Sequence, residues 1–480
     1  MDLMHRLLRL LLLPALVSAS ALAQTQRPET SMAPESAVAA AAKATIPYVD
    51  AKPILEALQA SLPTELSMKS PAELEAAWPD WVSRHNVEIR IRLERGDEDS
   101  IVNLWLYGAT FTKLPPASER GIARVGGQSS VPWMIEGRIK DFVAGIASPG
   151  SNERLLFARQ VFERQGIDPT TPTGRERVRR YLTDARKRTF SEEERYNRIV
   201  ESAKARNGAS AELAAYSTLF RNRGLSSDTS LLPNFAIEQA LEVMESTGQL
   251  GTGRVRRVAI LGPGLDFSDK ADGYDFYPQQ TIQPFSLIDS LIRLGLARLD
   301  DLRVTTFDLS PRVNHHLEVA RERARAGDAY VIQLPLNSDE PWTPGSVSYW
   351  KRFGDRIGEE VKPIRPPTTA RRVRIRAVRV CPAVVTSIVP RDLNIVLERL
   401  APLAEEEQFD LLIATNVFTY YDRFEQSLAV ANVASMLRSG GILLSNNAVV
   451  PIAPMKSSAG HIKVLYTDRL YDHLFWYERQ

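Results

Sequence analysis

The chain has 480 residues, 44% hydrophobic and 25% charged, a composition that indicates a globular protein and excludes a fibrous or largely disordered one. Its 60 Lys and Arg against 58 Asp and Glu leave a net charge of +2, so the charge balance gives no reason to expect nucleic acid as a partner. Cys381 is the only cysteine, which excludes an intrachain disulfide and a thiolate metal cluster. A chain of this length suits two domains better than one.

Residues 1–23 have the pattern of a secretory signal peptide. Arg6 and Arg9 give a basic start, residues 10–17 are apolar, and Ala21-Leu22-Ala23 forms a cleavage motif before Gln24. The apolar run is too short for a comfortable transmembrane helix, so we expect no membrane span after cleavage. We predict export to the periplasm or the cell exterior. An uncleaved membrane anchor is an alternative, and a misassigned start codon, which would leave the protein in the cytoplasm, is another.

Two further segments precede the last part of the chain. Residues 24–45 are rich in Ala, Pro, Ser and Thr and lack apolar periodicity, which predicts a flexible leader. Residues 46–230 are predicted to form a mostly helical N-terminal domain that contains one hairpin. The composition of the sequence changes near residues 225–233. We therefore predict that the second domain, 231–480, starts at this point.

The hairpin is predicted from a period-two pattern. Apolar and charged residues alternate over 87–93, and the run Arg95-Gly96-Asp97-Glu98 has the composition of a turn. Residues 101–107 are apolar and are predicted to return as the second strand.

Short apolar strands alternate with helices over 231–480, a pattern that predicts right-handed crossovers and a parallel sheet. The fold class is therefore α/β, with a Rossmann-like, doubly wound sheet after a mostly helical N-terminal region. The last two strands are too close for a helical crossover, so they should form an antiparallel terminal pair. In chain order we predict helix 234–247, strand 255–261, helix 284–294, strand 302–307, helix 311–326, one or two strands in 373–389, helix 392–404, strand 409–414, helix 424–437, and strands 442–446, 462–467 and 474–478.

Ligands in open α/β sheets bind beyond the carboxyl ends of the strands, so the residues that follow the first two strands are candidates. Gly262-Pro263-Gly264 follows the first strand, and its glycines allow a sharp turn and a close approach to a ligand, although a plain tight turn is the alternative. Asp308 ends the second strand, where a carboxylate can accept hydrogen bonds from both hydroxyls of a ribose. A helix N-cap is the alternative role for Asp308, and Ser310 is better placed for it.

Polar and aromatic residues follow the strand 409–414. Asn416 can orient a substrate because its amide both donates and accepts hydrogen bonds. Tyr420 offers an aromatic face to a cationic sulfonium and a hydroxyl group to a substrate. Simple packing at a strand end is the alternative role for the aromatic ring.

Several segments together resemble class I S-adenosylmethionine-dependent methyltransferases. They are residues 409–413, Asn416-Val417 with Tyr420, and residues 436–444 with their Gly-Gly pair. The Asn-Val and Tyr pattern is closest to the CheR-type (chemotaxis-receptor) branch, and two more segments are similar to that branch. Gln283-Pro284-Phe285-Ser286-Leu287 resembles its Glu-Pro-Tyr-Ser-Leu helix start, and Asp392-Leu393-Asn394 resembles its adenine-side loop. The resemblance covers residues from about 255 to the end.

This resemblance implies S-adenosyl-L-methionine as the cofactor and assigns a role to each candidate residue. Gly262 and Gly264 would cradle the methionine portion, and Asp308 would hold the ribose. Asp392 or Asn394 would meet the adenine. Asn416 and Tyr420 would face the methyl acceptor, which is either a protein or a small molecule.

The chain departs from the family pattern at four positions. Ile260 stands where an acidic residue usually precedes the glycine loop, and Asp266 replaces a third glycine. Thr415 replaces the arginine that usually precedes Asn-Val, and Gln283 replaces the acidic residue of the Glu-Pro-Tyr motif. About fifteen residues are inserted between the glycine loop and the following helix.

The leading hypothesis is an exported methyltransferase-like protein. This hypothesis contains a conflict, because export takes the protein out of the cytoplasm, where adenosylmethionine is made. The export prediction is wrong, or the cofactor reaches the protein, or the fold has lost catalysis and serves as a binding scaffold in the cell envelope. The scaffold is the second hypothesis. A nicotinamide-dependent dehydrogenase is the third, and the absent third glycine disfavours it.

Overall fold

The computed structural model describes residues 41–118, 121–122, 131–205, 224–268, 272–368, 370, 372–450, 452–456 and 459–480. The predicted signal peptide and most of the predicted leader lie outside these residues. The helices are α1 (Tyr48–Ala57), α2 (Thr64–Ser67), α3 (Pro71–Tyr107), α4 (Val131–Ala147), α5 (Glu153–Arg164), α6 (Pro172–Ala205), α7 (Leu232–Ser246), α8 (Gln283–Arg293), α9 (Pro311–Arg325), α10 (Pro344–Arg352), α11 (Pro382–Thr386) and α12 (Arg423–Met436). The strands are β1 (Lys43–Thr45), β2 (Arg257–Leu261), β3 (Arg303–Asp308), β4 (Tyr330–Asn337), β5 (Gly358–Val361), β6 (Val373–Val380), β7 (Ile388–Asp392), β8 (Glu398–Leu400), β9 (Phe409–Ala414), β10 (Leu437–Ser445), β11 (Gly460–Leu465) and β12 (Tyr471–Glu478).

The predicted hairpin over 87–107 is wrong, because these residues belong to the single 37-residue helix α3. The alternating pattern was misleading: Ile89 is buried, whereas Val87 and Ile91 are 57% and 53% exposed, so the apolar residues do not share one strand face. The side chains of this segment that pack against the rest of the protein lie on one face of a helix, not on one face of a strand.

Gly96 does not turn the chain, although the sequence predicted a turn there. It lies inside α3, where the backbone of Leu225 crosses the helix. A Cβ atom at this position would lie 1.8 Å from the carbonyl oxygen of Leu225. The residue is therefore glycine because another backbone approaches it closely.

The end of the predicted flexible leader is ordered, so that prediction is wrong for its last residues. Lys43–Thr45 forms β1 and pairs antiparallel with Glu398–Leu400, which is β8. The predicted helix 392–404 is wrong for the same reason, because β8 lies inside it. Composition alone could not reveal this pairing, since the two strands are far apart in the sequence.

The large sheet confirms the predicted Rossmann-like fold class. Its seven strands have the order β11-β12-β10-β9-β2-β3-β7. β7, β3, β2, β9 and β10 are parallel to one another. The chain moves outward from β2 in both directions, so the switch point lies between β2 and β9.

The predicted antiparallel terminal pair is also confirmed. β11 pairs with β12 from Gly460 opposite Trp476 to Leu465 opposite Tyr471. β12 then pairs antiparallel with β10, which adds both strands to one side of the parallel sheet.

A small antiparallel sheet is inserted between β3 and β7, with the strand order β4-β6-β5. Only part of it was predicted, since the sequence indicated one or two strands in 373–389 and none at β4 or β5. β6 pairs with β4 along its whole length and with β5 over its second half.

Three hydrophobic cores hold these elements together. One joins Trp78, Trp81 and Ile89 of α3 to Leu261 and Leu412 of the large sheet. Another lies on the opposite face of the sheet, under α7 and α8. The third joins the second half of α3 to α4, α5 and α6. The first core contains residues from both sides of the predicted boundary at 230/231, and the boundary itself stays a prediction. Among the residues described, no helix is both long and apolar enough to cross a membrane.

Candidate ligand-binding site

A cavity of about 90 Å³ lies beyond the carboxyl ends of β2, β3 and β9, at the switch point of the sheet. The loops after these strands form its floor. Its remaining wall comes from Leu93 of α3 and from the residues just before α7. Five predicted site residues are brought together in its lining: Gly262, Gly264, Asp308, Asn416 and Tyr420.

The glycine loop turns sharply, as the sequence predicted. Gly262 and Gly264 have φ angles of 59° and 63°, a region that favours glycine. The N–H group of Gly262 donates to the carbonyl of Phe307 at 2.8 Å, which ties the loop to the end of β3. A Cβ atom at Gly262 would lie 3.0 Å from Val417, and one at Gly264 would lie 2.9 Å from the carbonyl oxygen of Ser227.

Asp308 lies at the end of β3 and is buried, with 8% of its surface exposed. Its carboxylate accepts hydrogen bonds from the backbone N–H groups of Ser310, at 2.8 Å, and of Gly264. Burial raises the pKa of Asp308 to about 6, although both of these hydrogen bonds and the nearby Arg312 favour the charged form. Ser310 is the N-cap residue of α9. The carboxylate of Asp308 therefore lies in the cavity wall beside the glycine loop.

Asn416 follows β9 in a left-handed conformation, with a φ angle of 58°. Its backbone N–H donates to Asn446 Oδ1 at 2.8 Å, and its own Oδ1 accepts from Asn446 Nδ2 at 2.7 Å. These paired bonds fix the amide at the ends of β9 and β10. Asn446 was not predicted, and its position after a strand is the sequence signal that could have found it.

Tyr420 is partly buried, and its ring lines the cavity. Burial raises the pKa of its hydroxyl group well above the usual value, and the nearby Asp99 and Asp228 act in the same direction. Its hydroxyl bonds to Ser226, and its carbonyl accepts a hydrogen bond from Arg92 of α3. Tyr420 therefore lines the cavity and also contacts α3.

Asp392 and Asn394 do not reach the cavity with their polar groups. Asp392 forms ion pairs with Arg90, at 2.8 Å, and with Lys43, at 3.2 Å. Asn394 is buried, and its Nδ2 donates to Asn86 of α3 at 3.0 Å. The neighbours Leu393 and Ile395 line the cavity instead. Asp392 and Asn394 are therefore not placed to make the predicted adenine contact in this conformation. Their polar groups bind residues of α3 and β1 instead.

One wall of the cavity comes from residues outside the sheet, and the sequence did not predict it. Residues 225–229 line the cavity, yet they were taken as a domain boundary. The polar run Ser226-Ser227-Asp228-Thr229, directly before a helix, was the signal available. Leu93 was missed because it was placed on a predicted strand.

The described residues of the insertion after the glycine loop are mostly buried. Asp266 Oδ2 accepts hydrogen bonds from the hydroxyl of Tyr277 at 2.9 Å and from Gln280 Nε2 at 3.0 Å. The buried guanidinium of Arg154 donates to the carbonyls of Asp266, Phe267 and Tyr277. This network holds the insertion against α5, and it explains why an acidic residue is tolerated where a third glycine is usual.

No protein-family model matches the chain, and no curated protein matches it. Among solved structures, the chain is 12% identical to TrmN from Thermus thermophilus, over 52% of this chain and 52% of that chain, with a TM-score of 0.25. It is 12% identical to the glycopeptide N-methyltransferase MtfA complexed with S-adenosyl-L-homocysteine, over 51% of this chain and 63% of that chain, with a TM-score of 0.20. An O-methyltransferase family protein from Burkholderia thailandensis is 12% identical over 86% of this chain and 99% of that chain, with a TM-score of 0.22.

The match therefore spans about half the length of TrmN and less than two thirds of MtfA. At these TM-scores the likeness carries no argument, and the fold class follows from the strand order of this chain. Fold and site together define a Rossmann-like α/β protein with a small-molecule cavity at its switch point.

Proposed function

We propose that this protein binds S-adenosylmethionine and acts as a methyltransferase, closest in its motifs to the CheR-type branch. The observation that carries the proposal is the position of Asp308, buried beside Gly264 on the floor of a cavity at the switch point of the sheet. S-adenosylmethionine would supply an electrophilic methyl group. Its acceptor, a protein or a small molecule, is not part of the proposal.

The types of residue in the cavity suit this cofactor. A carboxylate such as Asp308 can accept from both hydroxyls of a ribose, and glycines at 262 and 264 let the backbone approach a ligand. The ring of Tyr420 can face a sulfonium cation. Asp266 stands where the dinucleotide fingerprint has its third glycine, and the glycine loop does not lead directly into a helix whose N-terminus could bind a pyrophosphate, because α8 starts only at Gln283. These features support a methyltransferase over a dehydrogenase.

The volume of the cavity does not suit the cofactor in the conformation described. The cavity has about 90 Å³, whereas pockets for drug-sized ligands have roughly 300–1,000 Å³. The donors and acceptors therefore fit the cofactor and the free space does not.

The same small volume favours a second function, in which the fold has lost catalysis and serves as a binding scaffold. In that case the cavity would be what remains of an abandoned site, although Asp266 and Tyr277, which the sequence suggested as the cause of closure, are not among the residues that line it. The two functions differ in one measurable property, the binding of the cofactor.

Titration calorimetry of the purified chain with S-adenosylmethionine and with S-adenosylhomocysteine tests the proposal. A methyltransferase should release or absorb heat and should gain thermal stability at saturating ligand. Absence of both effects at millimolar ligand would remove the methyltransferase and leave the scaffold. A nicotinamide dinucleotide is the control, and binding of that ligand alone would support the dehydrogenase.

We further propose that the protein is exported, which rests on the pattern of residues 1–23 alone. If it is exported, adenosylmethionine must reach it outside the cytoplasm, or the protein must act as the scaffold. Cell fractionation combined with the calorimetry would separate these cases.

A further inference from the structure

Residues 224–230, which we call the strap, lie directly on the glycine loop. The N–H of Leu265 donates to the carbonyl of Ser227 at 2.8 Å, and the N–H of Thr229 donates to the carbonyl of Leu265 at 2.8 Å. Asp228 and Leu265 thus form a parallel bridge. Residues 225–229 also form one wall of the cavity. The strap is therefore bonded to the loop that would receive the cofactor.

Two glycines allow this close approach. A Cβ atom at Gly96 would lie 1.8 Å from the carbonyl oxygen of Leu225, and a Cβ atom at Gly264 would lie 2.9 Å from that of Ser227. The N–H of Leu225 donates to the carbonyl of Arg92 in α3 at 2.9 Å. The strap lies between these two glycines, and a side chain on Gly96 would push it away.

Two side chains hold the strap in the same position. Ser100 Oγ in α3 donates to Asp228 Oδ1 at 2.9 Å. Arg312 Nη2 donates to Ser227 Oγ at 2.7 Å and lies 3.7 Å from Asp228 Oδ1. The guanidinium of Arg312 is itself fixed over the ring of Phe157, at 4.1 Å. The strap is therefore docked by specific contacts as well as by shape.

We propose that the strap is a plug that occupies part of the cofactor site and must leave before the cofactor can bind. The proposal rests on the proposed function, because it assumes that the ligand is S-adenosylmethionine. The cavity is too small for a ligand of that size. Withdrawal of residues 225–229 removes the wall that limits the cavity. Gly224, with a φ angle of 88°, begins the strap and is a residue at which the backbone can swing with little steric cost.

A plug and a closing lid give opposite signals in hydrogen exchange. A lid gains hydrogen bonds when a ligand binds, so its amides become protected. The amides of Leu265 and Thr229 are already bonded in the closed form, and displacement by a ligand would expose them. Saturating S-adenosylhomocysteine should therefore accelerate exchange in peptides that contain residues 225–230. Slower or unchanged exchange, with the ligand shown to be bound, would overturn the proposal.

Gly96→Ala tests the proposal through affinity. The added Cβ atom should displace Leu225, raise the open population and tighten binding of S-adenosylhomocysteine by at least about threefold. Gly145→Ala, also inside a helix, is the matched control because its Cβ atom would meet only side chains, at 3.2 Å or more. Equal affinities of the two variants would contradict the plug.

Ser100→Ala is a milder variant that keeps the test valid if Gly96→Ala fails to fold. It removes one hydroxyl group from the strap contact and should also tighten binding, by about two- to fivefold. Tighter binding by both variants than by the unmodified protein would support the plug. If no form binds, the proposed function fails and the plug with it. If the unmodified protein binds and its strap becomes protected, the function stands and only the plug is wrong.

Discussion

The side-chain amide of Gln283 donates a hydrogen bond to Thr415 Oγ1 at 2.6 Å, and both residues are buried. These are two of the positions at which the chain departs from the CheR-type pattern, where the resemblance places an acidic residue and an arginine. A neutral contact thus joins the start of α8 to the end of β9 in this chain.

Thr415→Val should lower the free energy of unfolding by about 1–3 kcal/mol, because it leaves the buried Gln283 amide without its acceptor. Urea unfolding measures this effect. The double variant Gln283→Met with Thr415→Val should lose less than the sum of the two single losses. Additive losses would show that the two residues are not coupled.

Asp308→Ala should weaken the binding of S-adenosylhomocysteine by about 10- to 100-fold, because a carboxylate that holds a ribose diol contributes charge-assisted hydrogen bonds. Calorimetry measures the change. Circular dichroism should show the fold intact, and urea unfolding measures the cost of the two backbone hydrogen bonds, from Ser310 and Gly264, that the variant loses. Unchanged affinity would place the ribose elsewhere.

The affinity for S-adenosylhomocysteine should fall as the pH is lowered through about 6, which is the pKa to which burial raises Asp308. The ionised carboxylate is the stronger hydrogen-bond acceptor, so each pH unit below this value should cost up to about tenfold in affinity. The stability of the unliganded protein depends on pH in the opposite direction. Folding favours the protonated form of Asp308, and this contribution to stability is lost as the pH rises from about 4 to about 6. Asp308→Asn should abolish both pH dependences, and a persistent dependence of affinity in that variant would assign it to another group.

His85 of α3 should make stability depend on pH near neutrality. Burial lowers the pKa of its ring, but hydrogen bonds to Glu425 and Glu88 outweigh burial and raise it overall. The stability from the charged contact is therefore present below the pKa of an unfolded histidine and is lost as the pH rises through the raised value.

His85→Gln should accordingly be less stable than the unmodified protein below about pH 6, by about 1.5–3 kcal/mol, with the difference shrinking at alkaline pH. Thermal unfolding across this pH range measures the difference. Because Arg92 also contacts Glu425, at 3.5 Å, that carboxylate keeps a partner in the variant. A difference that is the same at all pH values would mean that the ring acts only by packing on Trp81.

The native protein should begin at Gln24, because Ala21-Leu22-Ala23 forms a signal-peptide cleavage motif. Mass spectrometry of protein purified from its own cells, with the recombinant full-length chain as the reference, measures this directly. An intact Met1 on soluble protein would remove the export prediction and the conflict over the cofactor.

The sequence by itself determined the Rossmann-like sheet and the floor of its cavity. Strands such as 255–261 and 409–414 are short apolar runs between helices, and that local pattern fixes both their type and their parallel order. Gly262, Gly264, Asp308, Asn416 and Tyr420 follow those strands directly. Residues at the carboxyl ends of adjacent parallel strands must meet, so their convergence could be predicted without a structure.

Only the tertiary structure decided what covers that floor. Gly96 looks like a turn residue, yet it lies inside α3 and is glycine because the backbone of Leu225 crosses the helix there. Asp392 and Asn394 look like ligand contacts, yet Arg90 and Asn86 of α3 bind them. Each of these contacts joins residues distant in the sequence, and local pattern contains no information about a partner that arrives from another part of the chain.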